Sequence, residues 1–395
     1  MAIAKKVKEN LNKSSWIRKM FEEGERMRKE LGPERVFDFT LGNPAFEPPE
    51  LFKENLRKIA EHPIPGMHKY MSNAGYPETR KAIGDYLSKQ TGLKVTENHV
   101  VMTCGAGGAL NVVLKTILDP GDEVIVIAPY FVEYGFYVDN HQGKLVVVDS
   151  KEDFQIDIQA LDRAISQRTK AIIINSPNNP TGVIYPREIL QELNELLERR
   201  CKELGKTIYV ISDEPYAKLV YDGVEVPPVF NCIKNSILVT SHSKDLALPG
   251  ERIGYIAINP LMEEDEELFA GFVFANRILG FVNAPALMQR LIAPLQGLAA
   301  GVEEYCKRRD LLVDHLQSIG FKVVKPQGAF YIFPQSPIAD DVEFIQRATK
   351  YGILLVPGSG FGRPGYFRIS YCVDEDVIRR SLPAFTELAK EFGLC

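Results

Sequence analysis

The run Ser241-His242-Ser243-Lys244, with Arg252 eight residues further on, closes an apolar stretch that begins at Ile237. Lysine is the side chain that can hold an aldehyde as a Schiff base, and its amine becomes nucleophilic when its pKa is lowered. Serine hydroxyls and an arginine are the donors a phosphate dianion requires. Alternation along a strand puts Ser241 and Ser243 on one side and His242 on the other. His242 therefore reads as a packed or solvated histidine rather than a catalytic acid, and a lone Lys244 would ordinarily be a surface residue.

Three further segments carry candidate chemistry. Thr103-Cys104-Gly105-Ala106-Gly107-Gly108 follows an apolar run and opens a helical one. Small residues there let backbone N–H groups approach an anion, and the helix N-terminus adds positive potential. The run lacks the third glycine of the dinucleotide fingerprint, and a plain tight turn would use the same residues. Ser176-Pro177-Asn178-Asn179-Pro180-Thr181-Gly182 reads as a rigid turn, from which the Asn179 amide could be aimed at a ligand hydroxyl. Asp213 closes the apolar run from Ile208, where a carboxylate is costly unless paired. It could cap a turn, or hold a pyridinium N–H and keep such a ring an electron sink. Tyr216 lies three residues on, within reach of that ring's phenolic oxygen. An aldehyde, a phosphate and a pyridine ring on one small molecule describe pyridoxal 5'-phosphate. Phe131 could stack on the ring, or simply fill core. Arg368, flanked by apolar residues, needs an anion, supplied either by a substrate carboxylate or by a protein one.

The elements that must position these residues are legible as Ile/Val-rich runs. Strands are expected at Val100–Thr103, Glu123–Ile127, Leu145–Val148, Ala171–Asn175, Ile208–Asp213, Ile237–Ser241 and Gly254–Ile258. Helical patterns such as Gly107–Leu118 and Arg187–Leu204 intervene. The alternation predicts an α/β fold: a mostly parallel sheet with helices on both faces, whose ligands lie beyond the carboxyl ends of the strands. A long helical pattern over Asn283–Ser318 breaks softly near Pro294 and Gly297. Short runs then follow at Phe321–Val324, Phe330–Phe333, Ile353–Val356 and Tyr366–Ser370, which read as a smaller α+β unit. The expected divisions are residues 1–45, packing with the small unit, 46–285 and 286–395.

Composition narrows the function class. The 395 residues are 45% hydrophobic and 25% charged, as in a soluble globular protein. A net charge of −5 offers no basic field for nucleic acid and no polybasic membrane patch. Arg277 interrupts the most apolar stretch, so no membrane span is expected, and residues 1–10 lack a signal-peptide core. Six cysteines without CxxC spacing and six unpaired histidines argue for cytoplasmic thiols and against a metal site.

From Leu41-Gly42-Asn43-Pro44 to Arg368 these motifs, in this order, resemble the class I/II aminotransferases, the fold-type I family that uses pyridoxal 5'-phosphate. The resemblance rests on Asn179-Pro-Thr-Gly, Asp213-x-x-Tyr216, Ser-x-Ser-Lys244 with Arg252, and the late Arg368. It implies a large domain with a seven-stranded sheet and a smaller domain built from both chain ends. Lys244 would form the Schiff base and shuttle the proton. Asp213 would bind the pyridine nitrogen, and Tyr216 with Asn179 the ring oxygen. Gly105, Ala106, Gly107, Ser241, Ser243 and Arg252 would cup the phosphate, and Phe131 would stack on the ring. Arg368 would clamp the substrate α-carboxylate with help from Gly42 and Asn179. Tyr70 matches a tyrosine that reaches the neighbouring subunit's phosphate, which implies a homodimer.

The implied activity is amino transfer between an L-amino acid and a 2-oxo acid by a ping-pong cycle. A bacterial aspartate-specific branch carries lysine where this chain has Gly107, so aspartate is not supported by that position. Trp16 and Ile17 fall in the segment that closes over substrate in the family and hint at an apolar or mixed side-chain pocket. A lyase or decarboxylase on the same fold shares these motifs. A cofactor-sensing transcriptional regulator would need a DNA-binding domain, for which the acidic chain has little room ahead of Leu41.

Overall fold

The computed structural model describes residues 2–12 and 16–395, without the side chains of residues 12, 16–19, 21, 22 and 31. In chain order the first strands are β1 (Phe37–Asp38), β2 (Val100–Thr103), β3 (Glu123–Ala128), β4 (Lys144–Asp149), β5 (Thr169–Asn175) and β6 (Tyr209–Asp213). There follow β7 (Ser236–Ser241), β8 (Gly254–Ile258), β9 (Tyr331–Ile332), β10 (Ile353–Leu354), β11 (Val356–Pro357) and β12 (Phe367–Ser370).

Seven strands form one sheet in the order β2-β8-β7-β6-β5-β3-β4. All pairs from β7 to β4 are parallel, and β8 alone runs against both of its neighbours. These are the seven runs expected from sequence. Their Ile/Val stretches persist because both faces are covered. Ile125, Ile172 and Val210 enter one apolar cluster, while Val124, Ala171 and Ile211 enter the cluster on the other face. The helix Arg187–Leu204 buries Leu190, Leu193 and Leu197 along one stripe and stops at Gly205 in the left-handed region.

A third cluster joins Met27, Val36, Phe37 and Phe39 to Leu312, Phe344, Ile369 and Phe385. There β1 pairs with β10 in parallel, and β11-β12-β9 form an antiparallel sheet. Two expectations change here. The run Ile353–Val356 is two strands rather than one, since Ile353–Leu354 pairs with β1 whereas Val356–Pro357 pairs with β12. Phe321–Val324 is no strand; Phe321 is buried against Phe344 and Phe367, but the segment has no ladder partner. The pattern over Asn283–Ser318 resolves into helices Ala286–Ile292 and Val302–Ser318, broken at Pro294 as its sequence required.

Candidate active site

The carboxyl ends of β5, β6 and β7 lie side by side, with Asn175 opposite Asp213 and Asp213 opposite Val239. The register brings three separate loops to one edge. Beside them the helix Gly105–Ile117 presents its N-terminus, beginning two residues earlier than expected, so that the glycine-rich turn is its first turn. The space between is a cavity of about 280 Å3. Its walls include Ala106, Gly107, Phe131, Ser241, Ser243 and Arg252 on one side. Gly42, Asn179, Asp213, Tyr216, Lys244 and Arg368 also line it. A larger cavity of about 510 Å3 lies on the other side of the 214–218 segment, around Tyr86, Glu214 and Lys218, and contains none of those residues.

Asp213 is buried. Its Oδ2 accepts a hydrogen bond from the Tyr134 hydroxyl at 2.6 Å, while its Oδ1 is buried without a partner. Burial pushes its carboxyl up to about 7, against the opposing pull of the Tyr134 bond. Asn175 ties the edge together. Its Nδ2 donates to the Asp213 carbonyl at 2.7 Å, and its Oδ1 accepts from the Asn179 backbone N–H at 2.7 Å.

Lys244 extends to the Gly42 carbonyl, to which its Nζ donates at 2.6 Å. Burial lowers its ammonium pKa to about 8. Arg368 is buried and meets no protein carboxylate among the described residues: Nη1 donates to Asn179 Oδ1 at 3.1 Å, Nη2 donates to the Thr40 carbonyl, and Nε is buried without a partner. Its guanidinium lies over the rings of Tyr331 (4.7 Å) and Phe361 (4.9 Å). The alternative of a structural ion pair is therefore not what the fold builds. Tyr331 also meets the Tyr216 hydroxyl at 3.0 Å, and its own hydroxyl fills the space that a Cβ at residue 42 would need.

The cup expected for an anion is partly visible in the backbone. Gly105 has φ +72°, and a Cβ there would lie 2.8 Å from the Arg252 guanidinium. Gly105 supports this wall without lining the cavity. His242 is buried away from it, with Nδ1 3.2 Å from Asp245 Oδ2 and its ring near Tyr255, which makes it a packed histidine. Tyr70 is 91% exposed and lines a separate surface depression with Met71 and Phe281. The structure does not bring it to this chain's own cavity. Trp16 and Ile17 are described only as the start of a helix, without their side chains.

The family model "Aminotransferase class I and II" matches residues 34–385. The chain belongs to the class I and II aminotransferases. It is 37% identical over 357 residues to a probable aspartate/prephenate aminotransferase of Thermus aquaticus, covering 88% of this chain and 90% of that one. It is 34% identical to a probable aspartate aminotransferase of Methanocaldococcus jannaschii, over 88% of this chain and 92% of that one. Among solved structures, an aminotransferase from Eubacterium rectale superposes with a TM-score of 0.96 at 39% identity, with full coverage of both chains. The Thermus thermophilus aspartate aminotransferase with maleate gives 0.84 at 32% identity, covering 95% and 97%. These neighbours share the mostly parallel seven-stranded fold, and this chain is a pyridoxal-phosphate-dependent aminotransferase.

The cavity of this aminotransferase fits that cofactor. A buried carboxylate oxygen with no donor is what a pyridinium N–H requires, and Asp213 Oδ1 is one. A helix N-terminus, two serines and a guanidinium at the opposite wall suit a phosphate. Four residues of the site went unnoticed in the sequence: Tyr134, Tyr137, Asn175 and Tyr331. Tyr134 and Tyr137 follow Phe131 at helical spacing, which was the available signal. Asn175 ends an expected strand. Nothing near Tyr331 in the sequence marks it, because it reaches Tyr216 across 115 residues.

Proposed function

We propose that this aminotransferase carries an amino group from an L-amino acid to a 2-oxo acid in two half-reactions at one cavity, with Lys244 as the Schiff-base lysine and proton carrier. The observation that carries this reading is the buried, unpartnered Asp213 Oδ1 in the same cavity as a lysine of lowered pKa and an arginine without a counter-ion.

When bound, the cofactor supplies an electron sink for the pair left on Cα as its proton departs. Asp213 holds the ring nitrogen, and Tyr134 fixes the carboxylate from its other oxygen. With its pKa near 8, Lys244 keeps a neutral fraction at physiological pH, so its amine could attack a carbonyl carbon and, once released from it, carry the proton from the substrate Cα to the cofactor's former aldehyde carbon. Its bond to the Gly42 carbonyl holds the amine within the cavity. Arg368 takes the α-carboxylate through its fork, with Asn179 and Gly42 beside it. Asn179 and Tyr216 meet the ring oxygen, the latter held by Tyr331. Phe131 covers the ring. Ala106, Gly107, Ser241, Ser243 and Arg252 receive the phosphate, with Gly105 behind them shaping the turn against Arg252.

The proposed assembly is a cytoplasmic homodimer in which the exposed Tyr70 serves the neighbouring cavity. Residues 46–285 act as the large cofactor-binding domain, and residues 1–45 with 286–395 as the small one. Relatives named for aspartate put that donor first in any screen. With Arg368 and Arg252 assigned, Lys244 is the one cation left among the described residues lining the cavity, and none remains for a second carboxylate.

The test is a half-reaction screen of single amino acids against holoenzyme, read by cofactor absorbance. A donor should convert the cofactor to its amine form and release the oxo acid without ammonia; ammonia release with the cofactor unchanged would sink the transfer reading in favour of elimination. Lys244→Ala should retain cofactor non-covalently and fail to convert it. Full activity in that variant would refute the role of Lys244.

A further inference from the structure

We propose that the Tyr137 hydroxyl is an additional donor to the cofactor's phosphate, supplied by this chain beside Arg252 and the first turn of the Gly105–Ile117 helix. The inference rests on the reading of that wall as the phosphate cup.

Tyr134 and Tyr137 stand one turn apart on the helix Glu133–Asn140 and share a face. Tyr134 is spent on Asp213. Tyr137 lines the cavity, and its hydroxyl takes no hydrogen-bond partner from the described residues. A Cβ at Gly107 would stand 3.1 Å from that hydroxyl, which places it directly over the helix's first turn. Arg252 and Asp213 both lie close enough to act on the phenol through charge.

Burial and the carboxylates of Glu133 and Asp213 push its pKa up to about 12, so the phenol keeps its proton and remains a donor at any working pH. Its surroundings toward the cup are donors too: backbone N–H groups of the helix start and a guanidinium. A hydroxyl set among donors needs an anion to receive its hydrogen. The same geometry gives the glycine at 107 a reason, since a side chain there would press on the hydroxyl.

The test titrates cofactor-stripped full-length protein with pyridoxal 5'-phosphate and, separately, with pyridoxal, which lacks the phosphate. Tyr137→Phe keeps the ring and its packing. It should weaken binding of the phosphorylated cofactor by about tenfold to a hundredfold, the worth of one hydrogen bond to a charged group. Binding of pyridoxal should not change. Inorganic phosphate, used as a competitor against cofactor loading, should lose potency in the variant by a similar factor. An unchanged affinity for the phosphorylated cofactor, or equal weakening of both compounds, would overturn the proposal. If the unsubstituted protein bound the two compounds equally, the phosphate cup itself would fall, and the proposal with it.

Discussion

Replacing Arg368 with lysine keeps the charge and removes the fork. In the structure the guanidinium is 2% exposed, donates through Nη1 and Nη2 to Asn179 and Thr40, and leaves Nε free inside the cavity wall. It also lies over the rings of Tyr331 and Phe361. A lysine ammonium at the end of a flexible stem can meet one carboxylate oxygen, not two in a fixed plane, and loses the stacking. One charge-assisted hydrogen bond contributes about 1.5–3 kcal/mol, and a desolvated cation–π contact about 1 kcal/mol. A loss of about 3 kcal/mol corresponds to roughly 150-fold in kcat/KM, most of it in KM because the α-carboxylate is held alike before and during the reaction. The assay is the half-reaction rate against donor concentration, run with an amino acid and with the amine that lacks its carboxylate. The variant should slow the amino acid by that factor and leave the carboxylate-free amine unaffected. If both compounds slowed equally, or neither did, Arg368 would not be the carboxylate clamp. Thr40 also loses a donor, so a fall in melting temperature is expected alongside and is read separately by circular dichroism.

Two more outcomes follow from the same site. Asp213 has a folded-state pKa of about 7 against an ordinary 3.8, so between those values the folded cofactor-free protein holds a proton that the unfolded chain has lost. Its stability contribution is thus present at low pH and falls as pH rises toward 7, by about 1.4 kcal/mol per unit. Asp213→Asn should remove that slope and be the more stable protein at pH 8 when cofactor is absent; parallel urea-unfolding profiles for the two proteins would refute the unpaired buried carboxylate. Sedimentation should find the 44.4 kDa chain at twice its mass, with Tyr70→Phe holding cofactor more weakly in the dimer. A monomer with full activity would remove the basis for assigning Tyr70 to a neighbour's cavity.

The sheet was legible because burial on both faces leaves unbroken Ile/Val runs, and the seven strands differ from their expected ends by no more than one or two residues. The cavity lining was legible where it sits at strand ends: Asp213 as the last residue of β6, Ser241 to Lys244 at and just past the end of β7, and the glycine turn after β2. Side chains that arrive from elsewhere were not. Tyr134 reaches Asp213 across 79 residues and Tyr331 reaches Tyr216 across 115, and no local pattern encodes such pairs. The short strands of the C-terminal part were the least readable. Two-residue ladders such as β10 and β11 are set by tertiary neighbours, and Phe321 is apolar for packing alone.

Two aspartates at the same edge of the sheet show why residue type alone did not separate scaffold from site. Asp213 and Asp245 are both buried at 5% exposure. Asp245 accepts from Lys218 Nζ at 2.7 Å, from the Leu246 N–H at 2.7 Å and from His242, and those partners hold its carboxyl far below the usual range. Both oxygens are answered within the chain, so it anchors the loop that carries Lys244. Asp213 has one phenol and one orphan oxygen, and its pKa moves the other way. An unpaired buried charge costs several kcal/mol, a cost the fold keeps in this cavity and removes four residues past the end of the neighbouring strand. Arg368 presents the complementary case in the same cavity, a cation with an unanswered N–H. A guest that brings a cationic ring N–H to one and a carboxylate to the other satisfies both, and Lys244 lines the same cavity.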